Sequence, residues 1–158
     1  MNIFLILLAA GDSKRLRSST PKPYQIINNK SLLEHSLEAF KGISKITKTI
    51  IVYNIKHKKY IKKILLKNTI KIIGGKTRQE STFIALKFIK RMNCKKVLIH
   101  DAARPNPSKK LINEIINKLN HYHAVAPIIK VTDATKRYKK KLIFKNIKRE
   151  TLGLSQTP

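Results

Sequence analysis

Apolar residues fall into short unbroken runs along this chain, separated by segments of helical spacing. The first run, "IFLILLAA" from Ile3, has no charge and stops at Gly11, where "GDSKRLRSSTPKPY" takes over. A run apolar at every position reads as a strand covered on both faces, the signature of a parallel sheet. "TIIVYN", "IKIIGG", "KVLIH" and "AVAPIIKV" read as further strands. Between them, "SLLEHSLEAF" opens with Ser31 and carries Glu34 three residues on, a capping box that starts a helix. "KYIKKILL" reads as a short basic helix, and "SKKLINEIINKLN" as another capped one. "RQESTFIALKFIKRM" places Ser81, Ile84, Ala85 and Phe88 on one helical stripe.

This alternation predicts an α/β fold, a mostly parallel sheet flanked by helices on both faces. No internal repeat or linker interrupts it, so residues 1–158 read as one domain. The alternation breaks only near the end, where "KKLIFKNI" reads as an extended arm or hairpin strand within about 132–150. Sheets of this class bind ligands beyond the carboxyl ends of their strands. The predicted ends are "AAGDSKR", "IIGGKTR", "IHDAARP" and "KVTDATKR", each bearing glycine, an acid or arginine. Their convergence on one edge says more than any of them alone.

Composition changes this picture little. Thirty-five Lys and Arg against 8 Asp and Glu give a net charge of +27, a field that favours polyanions. The cations are spread along the whole chain, though, and Lys, Ile and Asn are in joint excess, the mark of an AT-rich coding sequence. Zinc-knuckle spacing and aromatic-rich basic motifs are absent, which argues against a dedicated nucleic-acid binder. The single cysteine, Cys94, rules out a disulfide framework and suits a reducing compartment. The opening apolar run has no preceding cation and is too short to span a bilayer, so the expected location is the cytoplasm, away from membranes.

The motifs point to phosphate chemistry. After a buried strand, Gly11 lets backbone amides face a ligand, and Lys14, Arg15 and Lys22 supply cations for several phosphates. Neither a P-loop nor the dinucleotide fingerprint is present. In "GGKTRQES", Gly74 and Gly75 permit close approach of a flat base, and the helix start at Arg78 and Ser81 offers donors. In "IHDAARP", Asp101 at a strand end is a candidate for magnesium carried by triphosphate oxygens, and Arg104 for a second phosphate; an Asp–Arg pair tying the turn is the competing reading. The five histidines show no metal-ligand spacing and read as packing or surface groups.

Taken in order, "LLAAGDSKRLRSSTPKPY", "LLEHSLEAF", "GGKTRQES", "IHDAARP" and "KRETLGLSQTP" make the chain resemble the 2-C-methyl-D-erythritol 4-phosphate cytidylyltransferases of the non-mevalonate isoprenoid pathway. The resemblance runs essentially end to end. It implies a Rossmann-like nucleotidyltransferase fold, CTP and a small polyol phosphate as substrates, Mg2+ as cofactor and a homodimer joined through the arm. By position it implies that Ala9, Ala10, Gly11, Asp12, Ser13 and Lys14 form the nucleotide loop, with Arg15 and Lys22 gripping phosphates. Gly74, Arg78 and Ser81 fall where cytosine and ribose are read, and Asp101 where magnesium is held. Arg104, Thr135 and Thr157 fall to the acceptor, and Arg149 is the arginine brought by the arm.

Two departures stand out: Pro23 replaces the usual glutamine, and Ala134 precedes Thr135 where threonine is usual. Family members also continue past "SQTP" with a segment carrying a catalytic lysine and a second magnesium-binding aspartate. The chain as written is therefore expected to fold its sheet and bind nucleotide while turning over poorly. Alternatives inside the class are ribitol-5-phosphate cytidylyltransferase and sugar-1-phosphate nucleotidyltransferase; outside it, a basic nucleic-acid-binding α/β domain.

Overall fold

A computed structural model of the chain describes residues 2–13, 18–64 and 68–157. Strand β1 (Ile3–Ala9) is the apolar run that opens the sequence. A minimal hairpin, β2 (Ile26–Ile27) and β3 (Lys30–Ser31), turns through Asn28 and Asn29, both with positive φ, which asparagine tolerates. Helix α1 (Leu32–Phe40) then starts at the expected capping box: Ser31 accepts from the Glu34 amide, and the Glu34 carboxylate accepts from the Ser31 amide. Strand β4 (Ile46–Tyr53), a short α2 (Lys58–Ile61), β5 (Thr69–Ile73), α3 (Arg78–Ile89), β6 (Lys96–Asp101) and α4 (Lys109–Lys118) complete the alternation. The chain ends in β7 (Ile128–Lys130), β8 (Thr135–Lys139), β9 (Leu142–Ile147) and β10 (Gly153–Ser155).

β5, β4, β1 and β6 lie in that order in one parallel sheet. Being central, β1 must be apolar on both faces. Ile3, Leu5, Leu7 and Ala9 pack with Leu33 and Phe40 of α1, Ile61 of α2 and Ile112 and Ile116 of α4. Phe4 and Ile6 pack on the other face with Ile50, Val52, Ala85 and Ile89. Each of the buried Leu, Ile, Val and Phe side chains among these stabilises the fold by roughly 1.5–3 kcal/mol relative to exposure. Some of the excess cations have structural uses: Lys71 donates to the carbonyls of Ile61 and Ile64, and Lys96 to that of Leu119, closing helix ends.

Three expectations need correcting. The buried stripe of α3 is Ser81, Ala85 and Ile89, whereas Phe88 is 42% exposed. Small residues at 81 and 85 let the helix sit close to the sheet, which a phenylalanine on that stripe would prevent. "AVAPIIKV" does not extend the main sheet, since only Ile128–Lys130 is a strand and it pairs antiparallel with β10. "KVTDATKR" is consequently not an end of the parallel sheet. It leads into the β8–β9 hairpin, whose turn residues Lys140 and Lys141 both have positive φ. Among the described residues, no helix is long and apolar enough to cross a membrane.

Candidate active site

Three of the expected strand ends do meet at the carboxyl edge of the sheet, and the fourth place is taken by the end of β4, at Tyr53 and Asn54. Parallel register sets this: Ala9 lies opposite Tyr53, Tyr53 opposite Ile73, and Leu8 opposite Asp101. Three of the chain's few acids, Asp12, Glu80 and Asp101, belong to the segments leaving this edge, and each is engaged there.

Leaving β1, the backbone carries Ala10, Gly11, Asp12 and Ser13 outward. A Cβ built on Gly11 meets nothing within 4 Å, so this glycine leaves open space beside the backbone. It does not adopt positive φ; that conformation falls to Ser13 at 52°. The loop is stapled at four points. Tyr24 donates to the Ala9 carbonyl at 3.5 Å, Asn54 Nδ2 donates to Asp12 Oδ1 at 2.7 Å and to the Ala10 carbonyl at 3.5 Å, and the Lys22 amide donates to Ser13 Oγ at 2.8 Å. Tyr24, next to the buried Pro23, stacks on Tyr60 with ring centres 5.0 Å apart. Burial, with Tyr53 adding to it, pushes the Tyr24 phenol well above its usual range, so it stays a neutral donor. Lys22 stands exposed at the start of a single 3-10 turn, Lys22–Tyr24. Lys14 and Arg15 lie outside the described residues.

At the end of β5, Gly74 has a structural reason to be glycine. A Cβ there would stand 2.8 Å from Ala10 Cβ, 2.8 Å from Ser81 Oγ and 2.9 Å from Val52 Cγ1. The protein itself, rather than a bound base, occupies that space. Ser81, fully buried, ties the turn: its Oγ accepts from the Gly75 amide at 3.1 Å and donates to the Gly75 carbonyl at 3.4 Å. The amino end of α3 is capped by Thr77, which accepts from the Glu80 amide, and the Glu80 carboxylate reaches back to the Lys76 amide.

Asp101 is the hub of the third end. Its Oδ1 accepts from Arg78 Nε at 3.0 Å, and its Oδ2 lies 3.3 Å from Arg104 Nε. The Asp–Arg pairing weighed from sequence is thus present, and doubled. Arg104 also donates to Gln156, and the Asp101 amide to Thr157 Oγ1 at 3.4 Å, which brings the segment after β10 onto the same edge. Beneath, His100 donates from Nε2 to the Arg104 carbonyl at 2.8 Å, and its ring meets Phe40 edge-on. Burial holds its pKa below the ordinary histidine value, so it is a neutral packing group, as its sequence position suggested.

Among the described residues no three His, Cys, Asp or Glu side chains cluster as a metal cage. Each oxygen of Asp101 faces a guanidinium, so in this arrangement its charge is answered by two arginines. Thr135 and Arg149 bond within the arm: Thr135 donates to the Asp133 carbonyl, and Arg149 to the Thr132 carbonyl at 2.7 Å while pairing with Glu150. Asn54, Tyr24 and Gln156 were not singled out from sequence. The available signal for Asn54 was its place as the polar residue ending an apolar strand.

The family model for IspD, 2-C-methyl-D-erythritol 4-phosphate cytidylyltransferase, matches residues 3–158. The chain belongs to this family. The bifunctional enzyme IspD/IspF of Pelagibacter ubique is 49% identical across the whole chain, which covers 42% of that protein. The 2-C-methyl-D-erythritol 4-phosphate cytidylyltransferase of Wigglesworthia glossinidia brevipalpis is 38% identical over 99% of the chain and 69% of its own length. The crystal structure of 4-diphosphocytidyl-2C-methyl-D-erythritol synthase from Anaerococcus prevotii superposes with a TM-score of 0.84 at 29% identity, covering 99% of this chain and 67% of that one. The chain thus spans about two-fifths of its bifunctional IspD relatives and about two-thirds of the single-function ones.

Proposed function

We propose that the protein transfers CMP from CTP to 2-C-methyl-D-erythritol 4-phosphate with release of pyrophosphate. The observation that carries this reading is the meeting of the β1 loop, the Gly74–Gly75 turn and the Arg78–Asp101–Arg104 cluster on one sheet edge of an IspD-family chain. An acceptor phosphate oxygen attacks the α-phosphorus of CTP, a new P–O bond forms, and the bond to the β-phosphate breaks as pyrophosphate leaves. The protein's task is in-line placement and compensation of negative charge.

In this reading the backbone of Ala9–Ser13 faces the triphosphate, and the cations Lys14, Arg15 and Lys22 neutralise it. The base is read at the Gly74–Gly75 turn, which Ser81 fixes from behind, with Arg78 beside it. Arg104 and Thr157 serve the acceptor phosphate. Asp101 would hold magnesium, which would draw charge from the phosphate oxygens. Thr135 and Arg149 act from the arm on the site of a partner subunit. Support for a homodimer is the set of exposed apolar residues on both faces of the hairpin, Tyr138 and Ile143 on one and Leu142 and Phe144 on the other. The lone thiol favours the cytoplasm. Isothermal titration with CTP and with ATP, each with magnesium, tests the reading. CTP should bind at least about tenfold tighter, a difference of about 1.4 kcal/mol, and equal affinities overturn the base assignment.

A further inference from the structure

The end of β4 has a use that the proposed function leaves unassigned. Asn54 follows a strand whose last four residues are buried and which pairs with β1 up to Ala9, so its Cα is fixed by the buried sheet. Its side chain makes three contacts. Oδ1 accepts from the Lys56 amide at 3.0 Å, closing the turn Ile55–His57; Nδ2 donates to Asp12 Oδ1 at 2.7 Å and to the Ala10 carbonyl at 3.5 Å. The buried His57 backs the same carboxylate, with Nε2 4.0 Å from Asp12 Oδ1 and its ring edge-on to Tyr24.

Peptide planarity gives these contacts a consequence. In a trans peptide the N–H of one residue points opposite to the carbonyl of the residue before it. Holding the Ala10 carbonyl inward therefore turns the Gly11 N–H outward, to the side where Gly11 leaves open space. Tyr24 does the same for the Ala10 N–H by holding the Ala9 carbonyl. Two successive amides presented to one side are what an anion needs, and they are worth most when set before the anion arrives.

We propose that Asn54 is a positioning residue for the nucleotide loop, one that fixes Asp12 and the Ala10 carbonyl so that loop amides face the triphosphate. This rests on the reading of the edge as a nucleotide site. The discriminating variant is Asn54→Asp, which keeps an oxygen for the Lys56 amide but sets a carboxylate against Asp12. The double variant D12N/N54D restores the contact to position 12 with donor and acceptor exchanged and leaves the Ala10 carbonyl without its donor, which separates the two contacts.

Backbone amide order parameters at Gly11, Asp12 and Ser13 in the ligand-free protein and CTP titration with magnesium are the two measurements. In Asn54→Asp the order parameters should drop from about 0.85 to below about 0.6 and the CTP Kd should rise about tenfold, with Tm within a few degrees of the parent. The double variant should recover more than half of both losses, because the Asp12 contact at 2.7 Å is the shorter of the two. Parental order parameters in Asn54→Asp, parental CTP affinity in it, or no recovery in the double variant each overturns the proposal. If the unmodified protein binds no CTP while Asn54→Asp still loosens the loop, the nucleotide reading fails and takes this use of Asn54 with it, although the loop contact stands.

Discussion

At the carboxyl edge of the sheet, polar side chains are matched within the chain: Asp12 by Asn54, Ser13 by the Lys22 amide, Asp101 by Arg78 and Arg104, Arg104 by Gln156. The β8–β9 hairpin is the opposite. Its two strands bond each other, but Tyr138 and Leu142 are 75% and 73% exposed, with Ile143 and Phe144 little less so. Both regions leave the regular α/β alternation, and both are rich in Lys and Arg. They differ in what backs them. The edge stands on β1, β4 and α3, whose buried side chains fix the backbone beneath it, so short polar contacts suffice to finish the geometry. The hairpin has only cross-strand pairing, marginal for two strands alone in water. Polar contacts finish the geometry where the core has already fixed the backbone; apolar side chains stay exposed where it has not.

The largest effect that sharpens this contrast is expected at Gly74. Gly74→Ala pushes a methyl group against Ala10, Ser81 and Val52 and should cost about 1–3 kcal/mol in urea unfolding. Gly11→Ala, two strand ends away and facing open space, should leave unfolding within about 0.5 kcal/mol of the parent. Equal costs at the two glycines would mean that the Gly74 turn is not packed against the sheet as described.

A smaller effect comes with pH. Burial lowers the pKa of both His57 and His100, so each takes up its proton more readily in the unfolded chain than in the native one. Their contribution to stability is complete above the ordinary histidine value of about 6.5 and is lost as pH falls from there toward the folded values, by up to about 1.4 kcal/mol per pH unit per group. Calorimetric Tm should therefore fall between about pH 7 and pH 5.5, and His100→Gln should flatten that slope. A Tm that is level across this interval contradicts the burial of the two rings.

The smallest effect on folding is expected in the hairpin. Phe144→Ser should change the unfolding free energy of the chain by no more than about 0.5 kcal/mol, because the ring is 62% exposed. Sedimentation should show weaker self-association in the same variant. Unchanged self-association breaks the assignment of this hairpin as the dimer contact.

How far the fold and site were legible follows from the range of the interactions. The β1 run, the Ser31–Glu34 box and the Ser108 cap of α4 depend on residues a few positions apart, and all three were readable as written. So were the three strand ends at Gly11, Gly74 and Asp101, because a polar break after a buried strand is a local pattern. The buried face of α3 was misread, since Phe88 and Ser81 are equally compatible with a helical stripe and only the closeness of the sheet selects the small residue.

The remaining features lay beyond any local pattern. Asn54 reaches Asp12 across 42 positions, Arg78 reaches Asp101 across 23, and Arg104 reaches Gln156 across 52. A sequence displays which residues are polar and where strands stop, because these follow from each residue's own cost of burial. It does not display which strand ends become neighbours or which carbonyl an amide will find. Those pairings exist only once parallel register has placed β4 and β6 on either side of β1, and that placement is the work of the core.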